Sequence, residues 1–231
     1  MILSAVALGS AAAAPPQPEP FSGAAALTGS WRHVPLPKVA RANSFRLAMD
    51  GGEQVLEVVS AGSASTLSHA VTVDPATTPW LRWRWKVSAA VPGSDLRAKA
   101  GDDYAGRVYV FFYYDPARLP LGQRIAYLLA RSIHGHDLPA AALCYVWGTA
   151  QPIGTIAPNP YTDRLRMVVL ESGDRLAGRW MVEARDVAAD FATAFGEPAP
   201  IVTGIAIGAD TDNTGAAVTV RFGDISFGTR P

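Results

Sequence analysis

Three groups of residues in this chain have the types and spacing that chemistry uses. In GDDYAGRVYVFF, residues 101–112, two adjacent carboxylates, Asp102 and Asp103, precede Arg107 at the start of the most apolar run in the chain. Glycoside hydrolysis needs two carboxyl groups on either side of one bond. Neighbours in an extended segment point apart, so one of these two would need a partner from elsewhere, with Asp163, Glu171 and Glu183 as the candidates. The spacing fits an ion pair better: one aspartate holds the Arg107 guanidinium near Tyr109, either facing a ligand or sealing a polar turn at the entry to a buried strand.

The second group is aromatic and cationic. In PWLRWRWKV, alternation sets Leu81, Trp83, Trp85 and Val87 on one face and Arg82, Arg84 and Lys86 on the other. In LCYVWG, Tyr145 and Trp147 share a face with Leu143. Sugar rings stack their C–H surfaces on such aromatics, and their hydroxyls pair with planar polar groups. Should Tyr145 and Trp147 align with Arg82, Arg84 and Arg107, they would form a groove for a glycan, an acidic one above all. Should the rings pack into the core, that groove does not exist.

The third group concerns metals. ADTDNTG, residues 209–215, offers oxygens from Asp210, Asp212 and Thr214 with a glycine at 215, but Arg221 stands where an EF-hand has its closing glutamate. A hairpin turn is the plainer reading, and a calcium site completed from another loop is the alternative. His134 and His136 in IHGHDLP, beside Asp137, have the spacing of a weak two-imidazole metal site or of a solvated loop. No cofactor is expected beyond that calcium alternative. His33 and His69 have no partners in sequence, and neither a Gly-x-Ser-x-Gly elbow nor a nucleotide-binding glycine motif occurs. The lone cysteine, Cys144, reads as a small buried residue, not a nucleophile.

The elements that must position these residues are short strands with period-two hydrophobicity: 43–49, 54–60, 66–73, 80–88, 106–114, 142–148, 164–171, 178–183, 201–208 and 216–227, the last interrupted at Gly223. RVYVFFYY is apolar on both faces and is expected to be central. Two stretches read as helices. LPLGQRIAYLLARSI carries Leu121, Ile125, Leu128 and Leu129 on one stripe, and RDVAADFATAFGEP repeats Val187, Phe191 and Phe195 between a capping Asp186 and Gly196. The expected fold is all-β, a two-sheet antiparallel sandwich of jelly-roll type with two short helices.

With 231 residues, 49% hydrophobic, the chain holds enough apolar material for one domain, expected over 21–231. Twenty Lys and Arg balance twenty Asp and Glu, which leaves no global field for nucleic acid or an anionic membrane. Residues 1–14 combine a short apolar run with Ala-x-Ala sites and read as a signal peptide that lacks the usual basic start. The run is too short to span a membrane, so no transmembrane span is expected in the mature chain. Residues 15–20 read as a proline-rich linker. The expected location is the periplasm or the exterior of the cell.

WRWKV at 83–87, GDDYAGRVYVFF, CYVWG at 144–148, the RDVAADFATAFGEP stretch and the closing GIAIGADTDNTGAAVTVRFGDISF together resemble an uncharacterised bacterial family of exported proteins, domain of unknown function 3047. The resemblance implies a secreted β-sandwich and brings no catalytic residues with it. The closing stretch is also similar to the last strands of sugar-binding jelly rolls, a likeness of fold only. Three functional readings follow: a binder of a carbohydrate or other cell-envelope ligand, a hydrolase or lyase acting on envelope glycans, and a structural or protein-interaction domain.

Overall fold

The computed structural model describes residues 16–27, 29–36, 38–113, 117 and 141–231. They form two packed sheets. The first has seven strands in the order β1 (Trp31–Pro35), β4 (Ala64–Val73), β11 (Val202–Asp210), β6 (Tyr104–Phe112), β7 (Ala141–Gly148), β9 (Thr162–Ser172) and β8 (Ile156–Asn159). The second runs β10 (Met181–Asp186), β5 (Trp80–Val87), β12 (Ala217–Phe222), β3 (Glu53–Ala61) and β2 (Ser44–Asp50), with β13 (Ser226–Gly228) also paired to β5. The result is the expected jelly-roll-like sandwich. Every pairing is antiparallel except β7 with β9, which is parallel.

All ten strands expected from the alternation form, and the last divides at Gly223 into β12 and β13. The two unforeseen strands, β1 and β8, lie at the two edges of the seven-stranded sheet. Each carries a proline, Pro35 or Pro158, which an edge strand tolerates because one side needs no donor.

One expected helix forms as α1, Val187–Phe195: the Asp186 carboxylate accepts from the Ala189 N–H at 2.9 Å, and Gly196 ends the helix with φ 76°. Phe191 is buried, 4.6 Å from the Phe112 ring and 4.5 Å from that of Phe195, so the stripe closes one end of the sandwich. The other expected helix, over 121–133, lies outside the described residues.

The core between the sheets is aromatic. Trp83 faces Tyr145 at 5.3 Å between ring centroids, and Trp85 meets Trp147 edge-on at 5.8 Å. Three of the four polar atoms are satisfied: Tyr145 donates to Asp190 at 2.8 Å, the Trp147 indole to the Gly173 carbonyl at 3.0 Å and the Trp85 indole to Glu183 at 3.0 Å, while the buried Trp83 indole N–H finds no acceptor among the described residues. Gly106 on β6 is what admits the Trp85 ring, since a Cβ there would come 3.2 Å from it.

A second cluster of Leu96, Tyr104, Cys144, Val146, Met167 and Val169 lies on the other face of the seven-stranded sheet, which makes β6 and β7 apolar on both sides. The stretch read as a linker is fastened down from Gln17 onward. The Gln17 side chain exchanges hydrogen bonds with the backbone of Phe227 at 2.8 and 2.9 Å, and Phe21 is buried against Trp31. Among the described residues no helix is long and apolar enough to cross a membrane.

Candidate functional site

Asp102 and Asp103 follow a single 3-10 turn, Lys99–Gly101, and their side chains diverge. Asp103 reaches the turn between β11 and β12, where it accepts from the Asn213 amide side chain at 3.0 Å, the Thr214 N–H at 2.7 Å and the Thr214 hydroxyl at 2.7 Å. Burial works to raise its pKa, but the hydrogen bonds from Asn213 and Thr214 outweigh it and hold the carboxyl below its ordinary range.

Asp102 turns the other way. One oxygen lies 3.3 Å from Arg107 Nη2 and the other accepts from Asn159 at 3.0 Å. The same Nη2 also donates to the Asp102 carbonyl, and Nη1 to the Tyr109 hydroxyl at 3.1 Å. The expected ion pair therefore exists, and it has a second partner: Asp210 Oδ2, 3.0 Å from Nη2. Arg107 presents 4% of its side chain to solvent. It ties the start of β6 to the end of β11 and offers no face to a ligand from solution. Burial pushes the Asp210 carboxyl up to about 9, against the opposing charge of Arg107.

Glu171 and Glu183 do not join this cluster. Glu183 accepts from the Trp85 indole at 3.0 Å, Glu171 closes β9, and burial raises both. Asp163 is exposed near the start of β9.

The groove proposed from Tyr145, Trp147, Arg107, Arg82 and Arg84 does not form. Tyr145 and Trp147 are fully buried between the sheets. Arg107 and Tyr109 take the opposite parity on the seven-stranded sheet, and Arg82 and Arg84 lie on the outer face of the other sheet. The reason is that β7 is apolar on both sides, so the identity of its residues does not say which face is inner.

Two of the predicted residues do line an open groove. It measures about 640 Å³ and lies over β5, with Ser22, Glu53, Gln54, Arg82, Arg84, Val182, Asp224 and Ser226 among its walls. The side chains lie flat because of two glycines. A Cβ on Gly228 would come 2.5 Å from Arg82 Nη1, and one on Gly223 would come 2.6 Å from Arg84 Nε.

Arg84 pairs with Glu53 and stacks on the Trp180 ring at 4.5 Å, while Lys86 lies 5.1 Å from the same ring and pairs with Asp50. Arg82 has no ion-pair partner among the described residues. Trp80 stands on the same outer face beyond Arg82, opposite Gly228 and Asp186 in the register. Sequence reasoning passed over both tryptophans. Trp80 was legible from the parity that put Trp83 inside, whereas Trp180, within the strand expected over 178–183, stands just before β10 (Met181–Asp186).

The turn residues Asp210 and Asp212 come together with Asp103, one oxygen from each within 4.8 Å of the others. ADTDNTG is thus a strand-joining turn, as its composition suggests, and a third carboxylate reaches it from another loop. His134, His136 and Asp137 lie outside the described residues.

Among solved structures, endoglucanase 3 of Trichoderma harzianum, from family GH12, matches with TM-score 0.42 and 11% identity over 82% of this chain and 86% of its own. The xyloglucanase domain of the Sinorhizobium fredii effector NopAA matches with TM-score 0.43 and 9% identity over 87% and 93%. The family 30 carbohydrate-binding module of a Clostridium thermocellum cellulase matches with TM-score 0.35 and 10% identity over 93% of each chain. No curated protein matches the chain. The family model described as protein of unknown function DUF3047 matches residues 29–226, nearly the whole sandwich with the Arg107 cluster and every named groove wall except Ser22, and the chain belongs to that family.

Proposed function

We propose that this protein is exported and binds an acidic oligosaccharide of the cell envelope, without catalysing a reaction, along the outer face of β5. The observation that carries the reading is Arg82: a guanidinium laid flat over Gly228 in an open groove, with no carboxylate partner among the described residues. A uronic acid carboxylate is the planar, bidentate partner that such a group takes. On the same outer face Trp80 offers a half-buried ring for the C–H patch of a flanking sugar, whereas the Trp180 ring is held under Arg84 and Lys86 and backs the cationic row.

Both acids in the groove are engaged structurally, which favours binding over hydrolysis. Asp224 accepts from the Phe21 N–H at 2.7 Å and the Ser22 N–H at 2.9 Å, and Glu53 pairs with Arg84. The apolar leader at residues 1–14 supports export to the periplasm or beyond, where such glycans are met.

Calorimetric titration with trigalacturonate, and with cellotriose as the neutral control, tests the reading. The acidic trisaccharide should bind and weaken with salt, and Arg82→Ala should reduce its affinity on the order of tenfold or more, as loss of a charge-assisted pair does. Equal binding of both sugars, or an unaffected Arg82→Ala, would reject it.

A further inference from the structure

Where β6 begins and β11 ends, four carboxylates gather about one guanidinium. Asp102 and Asp210 touch Arg107, and Asp103 and Asp212 lie next to Asp210. Arg107 is the one cation that an ion pair brings to this group among the described residues, so the ionised cluster carries excess negative charge in a buried place. Asp210 shows the consequence at one atom. The residue is 6% exposed, its Oδ2 is held by Arg107, and its buried Oδ1 has no hydrogen-bond partner. An ionised oxygen left so is costly unless a cation completes it or a proton covers it.

We propose that Asp103, Asp210 and Asp212 bind a calcium ion at this point, joining the start of β6 to the β11–β12 turn. One oxygen from each carboxylate lies within 4.8 Å of the other two. Calcium holds oxygens at about 2.3–2.6 Å, so ligands on opposite sides of one ion stand up to about 5 Å apart. The all-oxygen, all-carboxylate set suits a hard cation, and calcium accepts irregular geometry where magnesium requires a near-ideal octahedron.

The surroundings prepare the ligands. Asn213 and Thr214 fix the Asp103 carboxylate, and Arg107 orients Asp210 through the oxygen not offered to the ion. Asp212 is exposed and gives the ion its approach from solvent. The site shares no residue with the Arg82 groove, so the two proposals fail independently.

The test uses the full chain, freed of metal with EDTA and dialysed, then titrated with calcium chloride or magnesium chloride at constant ionic strength. Equilibrium dialysis should give one calcium per chain. At a hundredfold excess over Kd, calcium should raise Tm by about 5–10 °C, and magnesium at the same concentration by clearly less. Asp212→Asn, a change at an exposed position, should lose most of that rise while its Tm in EDTA stays at or above the wild-type value, because one of the crowded negative charges is gone. No bound calcium at millimolar free ion, an undiminished rise in Asp212→Asn, or an equal rise with magnesium would overturn the assignment.

Discussion

Replacing Arg107 with methionine removes the guanidinium while keeping most of the apolar volume of its stem. The change leaves Asp102 and Asp210 buried with no cation between them, since both were held by Nη2 at 3.3 and 3.0 Å. Breaking a buried ion pair from one side costs about 3–5 kcal/mol, and the Tyr109 hydroxyl loses its donor at a further 0.5–1.5 kcal/mol or so. At about 2–4 °C per kcal/mol for a domain of this size, Tm should fall by about 7–25 °C.

Urea unfolding followed by tryptophan fluorescence, with EDTA present to hold metal constant, measures the loss as a lower midpoint at unchanged slope. Arg107→Lys should recover only part of it, because a point charge cannot reach the Asp102 carbonyl, Asp210 and Tyr109 together. A loss below about 1 kcal/mol in Arg107→Met would refute the reasoning. So would a variant of wild-type stability that no longer binds sugar, since Arg107 would then be a ligand residue and not a tie between strands.

Three further outcomes follow from the same geometry. Gly228→Ala should weaken binding of the acidic sugar while costing little stability, because the new Cβ meets the mobile end of Arg82 and not backbone; a titration that matches wild type would count against the flat guanidinium. Burial pushes the Cys144 thiol up to about 12, so a disulfide reagent at pH 8 should modify it only at the rate of unfolding, and fast modification of the folded protein would contradict its place in the sheet. Burial also holds His69 below its ordinary value while its Nε2 accepts from the Glu19 N–H at 3.1 Å. The unfolded chain therefore binds the proton first as pH falls below about 6.5, and stability should decline through that window down to the lower folded value. His69→Gln should flatten this part of the stability profile measured from pH 7.5 to 5; an unchanged slope would exclude His69 as its source.

Much of the architecture was legible because alternation is a local signal. The face of β5 that carries Leu81, Trp83, Trp85 and Val87 is the buried one, and Asp186, Phe191 and Gly196 place α1 correctly. Long-range placement was not legible. Nothing near Arg107 announces Asp210, which reaches it only because β6 pairs with β11 in a register that sets Tyr104 opposite Asp210. LCYVWG is buried at every position, so its pattern gave no means of telling the inner face from the outer. The edge strands β1 and β8 each have one neighbour and weak periodicity, and the parallel pairing of β7 with β9 depends on connections that periodicity does not encode.

The six tryptophans give the most direct test of the groove. Their indole N–H signals, followed by two-dimensional NMR during titration with trigalacturonate, report separately on the outer face and on the core. Trp180 and Trp80 should shift together and saturate, while the buried Trp31, Trp83, Trp85 and Trp147 stay in place. Saturating shifts confined to the buried indoles, or no shift at Trp180 at saturating sugar, would contradict binding along β5.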